Sequence, residues 1–177
     1  LIEGEGAAID LYLIPQGSLE FCDGDSLVIE CGNFASYQWS TGSTLPMLTV
    51  TASGYYSVTV TNQMGISGTS DTIYVTVNDL PSETLIPTHI SCNSAADGSL
   101  DCIVLSGGVC TFDWSNNETT EDISGLTAGV YDIIVTGFNG CTSTLSATIL
   151  EPTEIQLVTG SSMETGQASD GSAWVNV

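Results

Sequence analysis

Residues 37–66 overlay residues 112–141 at a constant offset of 75, and the register runs for thirty positions without a gap. Tyr37-Gln38-Trp39-Ser40 falls on Phe112-Asp113-Trp114-Ser115, Gly54 on Gly129, Tyr56 on Tyr131, Val60-Thr61 on Val135-Thr136 and Gly65 on Gly140. A chain built this way must fold one module twice. The pattern inside each copy has the period of two that marks half-buried strands. It shows in Ser57-Val58-Thr59-Val60-Thr61 and Ile73-Tyr74-Val75-Thr76-Val77, and again in Ile133-Ile134-Val135 and Leu145-Ser146-Ala147-Thr148-Ile149. Turn dipeptides (Asp23-Gly24, Thr41-Gly42, Gly107-Gly108, Asn139-Gly140) recur at the spacing of short antiparallel strands. No amphipathic helix of useful length is present. Seven or so strands in about 70 residues predict a small sandwich.

Two aromatic positions narrow the fold. Trp39 to Tyr56 and Trp114 to Tyr131 are each 17 residues apart, and both tyrosines follow Gly-x. A tryptophan on a middle strand and a tyrosine at a later corner mark the immunoglobulin-like sandwich, where both belong to the core. Asp97-Gly98-Ser99 returns as Asp170-Gly171-Ser172, offset by 73, after Pro152. The predicted architecture is therefore all-β: tandem immunoglobulin-like β-sandwich domains with an incomplete third module. Its divisions are a leading strand segment 1–16, modules 17–78 and 79–151, and a partial module 152–177. The leading segment, with Ile9-Asp10-Leu11-Tyr12-Leu13-Ile14, is expected to lie partly outside the repeat and to serve as a donor strand for the incomplete module of a neighbouring copy.

Charge excludes more than any motif proves. The chain has no lysine or arginine against 21 carboxylates and one histidine, a formal charge of −21. With no cation to clamp phosphate, nucleic acid and anionic membrane surfaces are excluded as partners. No apolar run reaches the 18 or so residues of a spanning helix, so direct membrane insertion is not expected. Carboxylates must be solvated, bonded to backbone or neutralised by bound cations. No signal-peptide pattern opens the sequence at Leu1, as expected of a mature or excised chain. Six cysteines without a Cys-x-x-Cys pair fit disulfides better than zinc, and hence an extracellular or cell-surface setting.

The second module resembles the SprB-type repeats of Bacteroidota surface adhesins. The elements that carry the resemblance are Cys92, Asp97-Gly98-Ser99, Gly107-Gly108, Phe112-Asp113-Trp114-Ser115, Gly125-Leu126-Thr127-Ala128-Gly129-Val130-Tyr131 and Asn139-Gly140-Cys141, in that order. The first module is similar to Ig-like domains of the same secreted proteins, through Cys22-Asp23-Gly24-Asp25-Ser26, Tyr37-Gln38-Trp39-Ser40-Thr41-Gly42 and Ser53-Gly54-Tyr55-Tyr56. The resemblance implies a bridge Cys92–Cys141. Because Ile66 stands where the first module would carry the matching cysteine, it further implies Cys22–Cys31, leaving Cys102–Cys110 as an added bridge. Six cysteines allow fifteen connectivities, so other pairings stay open. Asp25-Ser26-Leu27 and Asp71-Thr72-Ile73 resemble the Bacteroidota O-glycosylation acceptor, which marks Ser26 and Thr72; Asn117-Glu118-Thr119 is an N-glycosylation sequon.

Catalysis is not expected. The sole histidine, His89, sits between modules, and neither Gly-x-Ser-x-Gly nor His-Glu-x-x-His occurs. No cofactor is required by any motif. Asp23, Asp25, Asp97 and Asp170 are candidate calcium ligands, since each lies in an Asp-Gly turn where carbonyls also point outward; the alternative is that Asp-Gly is simply turn chemistry. The function expected is that of an extracellular structural protein, a subunit or segment of a cell-surface filament or repeat adhesin that assembles by strand pairing with copies of itself or neighbouring modules. The alternative is a carbohydrate-binding or accessory module of a secreted enzyme, meeting surface glycans through Tyr12, Tyr55, Tyr74, Phe138 or Trp174.

Overall fold

The computed structural model describes residues 9–162 and 172–176, whose regular elements are all strands. The first repeat copy holds β1 (Ile14–Pro15), β2 (Glu20–Cys22), β3 (Leu27–Glu30), β4 (Ser36–Trp39), β5 (Met47–Val50), β6 (Gly54–Tyr56), β7 (Val58–Thr61), β8 (Ser67–Thr69) and β9 (Ile73–Asn78). They form three-stranded sheets in the orders β1-β3-β5, β2-β9-β6 and β4-β7-β8. The second copy holds β10 (Ser82–Thr88), β11 (Gly98–Ser106), β12 (Thr111–Trp114), β13 (Ile123–Leu126), β14 (Gly129–Thr136) and β15 (Thr142–Ile149), in sheets β10-β11-β13 and β12-β14-β15. The chain is all-β, with tandem Ig-like β-sandwich domains. After Pro152 comes a hairpin of β16 (Val158–Ser162) and β17 (Ser172–Asn176).

Alternation explains the core. On β7, Val58 and Val60 are buried while Thr59 and Thr61 turn outward and share hydroxyl hydrogen bonds with Thr69 and Ser67, both 2.9 Å. Leu27, Ile29, Leu48, Val50 and Val75 complete the apolar centre around Trp39. The second copy buries Leu100, Trp114, Ile123, Ile133 and Ile149 in the same way.

The duplication holds down to single hydrogen bonds. Trp39 Nε1 donates to the Leu45 carbonyl and Trp114 Nε1 to that of Thr120, both at 2.9 Å. The Tyr56 hydroxyl donates to the Ala52 carbonyl at 2.8 Å, and Tyr131 to Thr127 at 3.1 Å. Ser40 Oγ accepts from Ser57 N–H, as Ser115 Oγ does from Asp132 N–H. Trp39, Tyr56 and Trp114 are thus buried, and Tyr131 half-buried, each with its polar tip satisfied by backbone, the condition for placing Trp or Tyr in a core.

The leading segment is not outside the repeat over its described part. Ile9, Leu11 and Leu13 pack against the first core, Pro15 and Ile14 pair with Ile29 and Glu30, and Gln16 N–H donates to the Val28 carbonyl. Tyr12 and Asp10 alternate to the exposed side. Gly68 leaves room for Ile9, whose Cβ would be only 3.0 Å from an added methyl. By contacts the chain divides into two compact units that do not follow the repeat. One comprises Leu1–Ser82, Val104–Cys110 and Val135–Ser143; the other comprises Glu83–Ile103, Thr111–Ile134 and Thr144–Val177.

Trp39→Ala is expected to cost about 3–5 kcal/mol through the cavity it leaves. Tyr56→Phe, which deletes one buried-end hydrogen bond, should cost about 1 kcal/mol. Urea unfolding followed by tryptophan fluorescence measures both.

Candidate functional site

Within the first compact unit the chain is closed by one bridge, Cys22–Cys141, 119 residues apart in sequence, with Cα atoms 5.7 Å apart. This corrects all three expected pairings. Phe21 points toward the core, so Cys22, its neighbour on β2, must face the other way, whereas Cys31 continues the inward set Leu27, Ile29 and is 5% exposed. Cys22–Cys31 is therefore unavailable. Cys92 lies in the loop held at the far end of β15, where Asn93 Nδ2 donates to the Pro152 carbonyl. Cys92 is a free thiol and Cys141 is taken by Cys22, so Cys92–Cys141 is not formed. Cys102 is a buried thiol on β11, so Cys102–Cys110 is not formed either.

The same unit fastens the turn 137–141 by polar contacts. Asn139 Nδ2 donates to the Asp79 carbonyl at 2.9 Å, and Phe138 N–H reaches the Gly107 carbonyl. Asp23 N–H donates to the Asn78 carbonyl at 2.8 Å. Gly108, at φ 68°, sits under the Phe138 ring, which an added Cβ would meet at 2.9 Å. The arrangement is a covalently locked latch at the ends of β2 and β9.

The aspartates take structural places. Asp23 and Asp25 occupy the exposed turn before β3, where Asp25 N–H donates to the Cys22 carbonyl. Asp97 Oδ1 accepts from Ser91 N–H at 3.0 Å, and hydrogen bonds from the Ser91 side chain and backbone hold its pKa below 3.8. Gly98 beside it is forced by packing: an added Cβ would lie 2.9 Å from Ile149 Cγ2 and 3.0 Å from the Leu126 carbonyl. Asp170 lies outside the described residues. Among the described residues no group of three or more His, Cys, Asp or Glu side chains is placed to hold a metal ion. His89 Nδ1 accepts from Leu150 N–H at 3.2 Å, a strand-end contact.

Ser26, Thr72 and Asn117 are all exposed, the last in a left-handed turn at φ 68°. Two apolar surfaces stand out. Around the hairpin β16–β17, Ile155, Leu157, Val158, Trp174 and Val175 are each more than half exposed, and the Trp174 ring lies over Gly160. On the sheet β2-β9-β6, Tyr55 and Tyr74 are cross-strand partners with ring centroids 4.7 Å apart. Tyr12, Tyr55, Tyr74, Phe138 and Trp174 are the aromatics outside the expected core set and form no pattern in the sequence; the pairing of Tyr55 with Tyr74 depends on β6 meeting β9, which no local signal reveals.

No protein-family model matches the chain, and no curated protein matches its sequence. Solved structures to which it is similar are Ig-like or fibronectin-III-like. They include the N-terminal eight Ig domains of Down Syndrome Cell Adhesion Molecule (15% identity, TM-score 0.49, 74% of this chain and 26% of that one). Murine CEACAM1b gives 13% identity and a TM-score of 0.34 over 75% of this chain and 96% of that one. The fibronectin(III)-like modules of Clostridium thermocellum CbhA give 13% and 0.38 over 79% and 94%. This chain spans about a quarter of the first of these. Likeness at such identities says nothing of activity or partners.

Burial raises the thiol pKa of Cys31, and burial together with Glu83, Glu121, Asp122 and Asp101 pushes that of Cys102 to about 11. Iodoacetamide at pH 8 should therefore label exposed Cys92 in the native chain and reach Cys31 and Cys102 only after unfolding. Non-reducing digestion with a Glu-specific protease, followed by mass spectrometry, should return a peptide joining Cys22 to Cys141. Cys141→Ser should cost about 2–5 kcal/mol, given the long loop closed.

Because the Asp97 pKa is depressed, the loop stability it supplies is complete at neutral pH and is lost as pH falls through its folded value, below 3.8. Asp97→Asn should be less stable than the native chain at pH 7 and equal to it at strongly acid pH. Thermal unfolding across that range measures the difference.

Proposed function

We propose that this chain is an extracellular structural protein: a subunit or segment of a SprB-type, Bacteroidota surface filament or repeat adhesin that assembles through strand pairing between Ig-like modules. The observation that carries this reading is the hairpin β16–β17. Two strands alone are marginal in water; these two expose Val158, Trp174 and Val175, and the segment leading into them exposes Ile155 and Leu157. Adding a strand along the hairpin edge would pair its free backbone groups and cover its apolar side chains. Residues 9–15 already serve their own core, so the completing strand comes from another copy or a neighbouring module. A head-to-tail contact of this kind propagates into a fibre.

The Cys22–Cys141 bridge supports an oxidising, extracellular setting. Exposed Ser26 and Thr72 belong to the same reading as O-glycan acceptors, with Asn117 as an N-glycan acceptor. Negative-stain electron microscopy with intact-mass analysis of native material tests it. Filaments containing this chain, heavier by sugar increments and abolished by Trp174→Asp, are expected. Monodisperse particles unaffected by that substitution would sink the filament.

A further inference from the structure

The outer face of the sheet β2-β9-β6 carries an aromatic pair that the fold does not need. Tyr55 stands opposite Tyr74, their rings inclined at 56°, and the two are 72% and 48% exposed, while Tyr56 and Val75 beside them are buried. Pairing the rings contributes modestly, yet much of Tyr55 and about half of Tyr74 remain in water. Next along the same face is Glu20, which lies in register with Thr76, two residues beyond Tyr74 on β9. The Glu20 carboxylate is already oriented, accepting from Asn78 Nδ2 at 3.0 Å. Asp71, also exposed, precedes β9 by two residues.

Electron-rich ring faces beside an ordered carboxylate are what a lysine or arginine side chain seeks, through cation–π contact and a charge-assisted hydrogen bond together. This chain has neither residue, so it cannot meet that demand internally. We propose that this face docks a lysine- or arginine-bearing segment of a partner protein, the cationic head lying against Tyr55 or Tyr74 with Glu20 as its counter-charge. A second copy of these 177 residues brings no lysine or arginine and adds a further −21, so the cation comes from a segment outside this sequence. The long-range field of the chain draws such a partner in. A pyranose fits less well: rings inclined at 56° share no plane on which a sugar can lie. This site is independent of the strand pairing proposed above.

The test is an NMR titration of the ¹⁵N-labelled chain with a blocked Gly-Arg-Gly-Arg-Gly peptide and, separately, with cellohexaose, in near-physiological salt. Peptide-induced amide shifts should cluster at Tyr55, Tyr74, Thr76 and Glu20. Tyr55→Ala or Tyr74→Ala should weaken binding at least fivefold, Tyr55→Phe by less than twofold, and Glu20→Gln by a few-fold. Met64→Ala, an exposed apolar side chain in the turn between β7 and β8, should change nothing. Because these side chains lie on the surface, retained spectra establish that each variant folds. Shifts spread evenly over the acidic surface, with no dependence on the tyrosine rings, would reduce the effect to polyanion screening and overturn the proposal. Shifts at the pair with cellohexaose but not with peptide would overturn it in favour of a glycan platform.

Discussion

Every polar group in this chain must be satisfied without a lysine or arginine, and that constraint shapes its interior and its surface. Carboxylates turn to backbone N–H groups instead: Asp97 to Ser91, Asp122 to Cys102 and Glu151 to Ser94. Side-chain amides take others, as Asn78 does for Glu20 and Asn116 for Glu118. Each such bond fixes a turn or a strand end, so acidic residues act here as loop fasteners. Hydroxyls do the comparable work across strands, where Thr59 meets Thr69 and Thr61 meets Ser67. Stability rests on apolar packing and backbone pairing, which salt leaves largely intact.

Much of the fold was legible because its signals are local. Alternation at Val58 and Val60, and the common spacing of Trp and Tyr in the two copies, report strand faces without any knowledge of partners. The hydrogen bonds of Trp39 and Tyr56 to Leu45 and Ala52 then follow from chain segments only a few residues away. Asp97-Gly98 was visible as a motif, but its reason was not: Gly98 is required by Ile149, fifty residues on.

The disulfides failed for the same physical cause. Whether two cysteines meet depends on which sheet carries them and which way they face: Cys22 ends β2 in the sheet β2-β9-β6, whereas Cys31, nine residues on, follows β3 of the sheet β1-β3-β5 and points into the core. Repeat alignment proposed partners by position within a module, whereas the bridge joins one copy to the other. The leading segment was misplaced because no repeated motif marks it, although β1 edges β3 just as β10 edges β11, and Ile9, Leu11 and Leu13 already showed the alternation of a core-facing strand. Likewise the Tyr55–Tyr74 pair needed the β6–β9 register before two scattered aromatics became one surface.

The Cys22–Cys141 bridge also decides how this chain would carry tension. A pull applied to its two ends passes through the sulfur atoms and leaves residues 23–140 outside the load path. Even with every strand undone, only the flanking stretches can straighten, to roughly 200 Å in place of the roughly 600 Å of the open chain. Strands β3 to β14 are thereby sheltered from stretching while β1, β2 and β15 carry the load, and a thread made of such units would give little until the bridge itself is reduced.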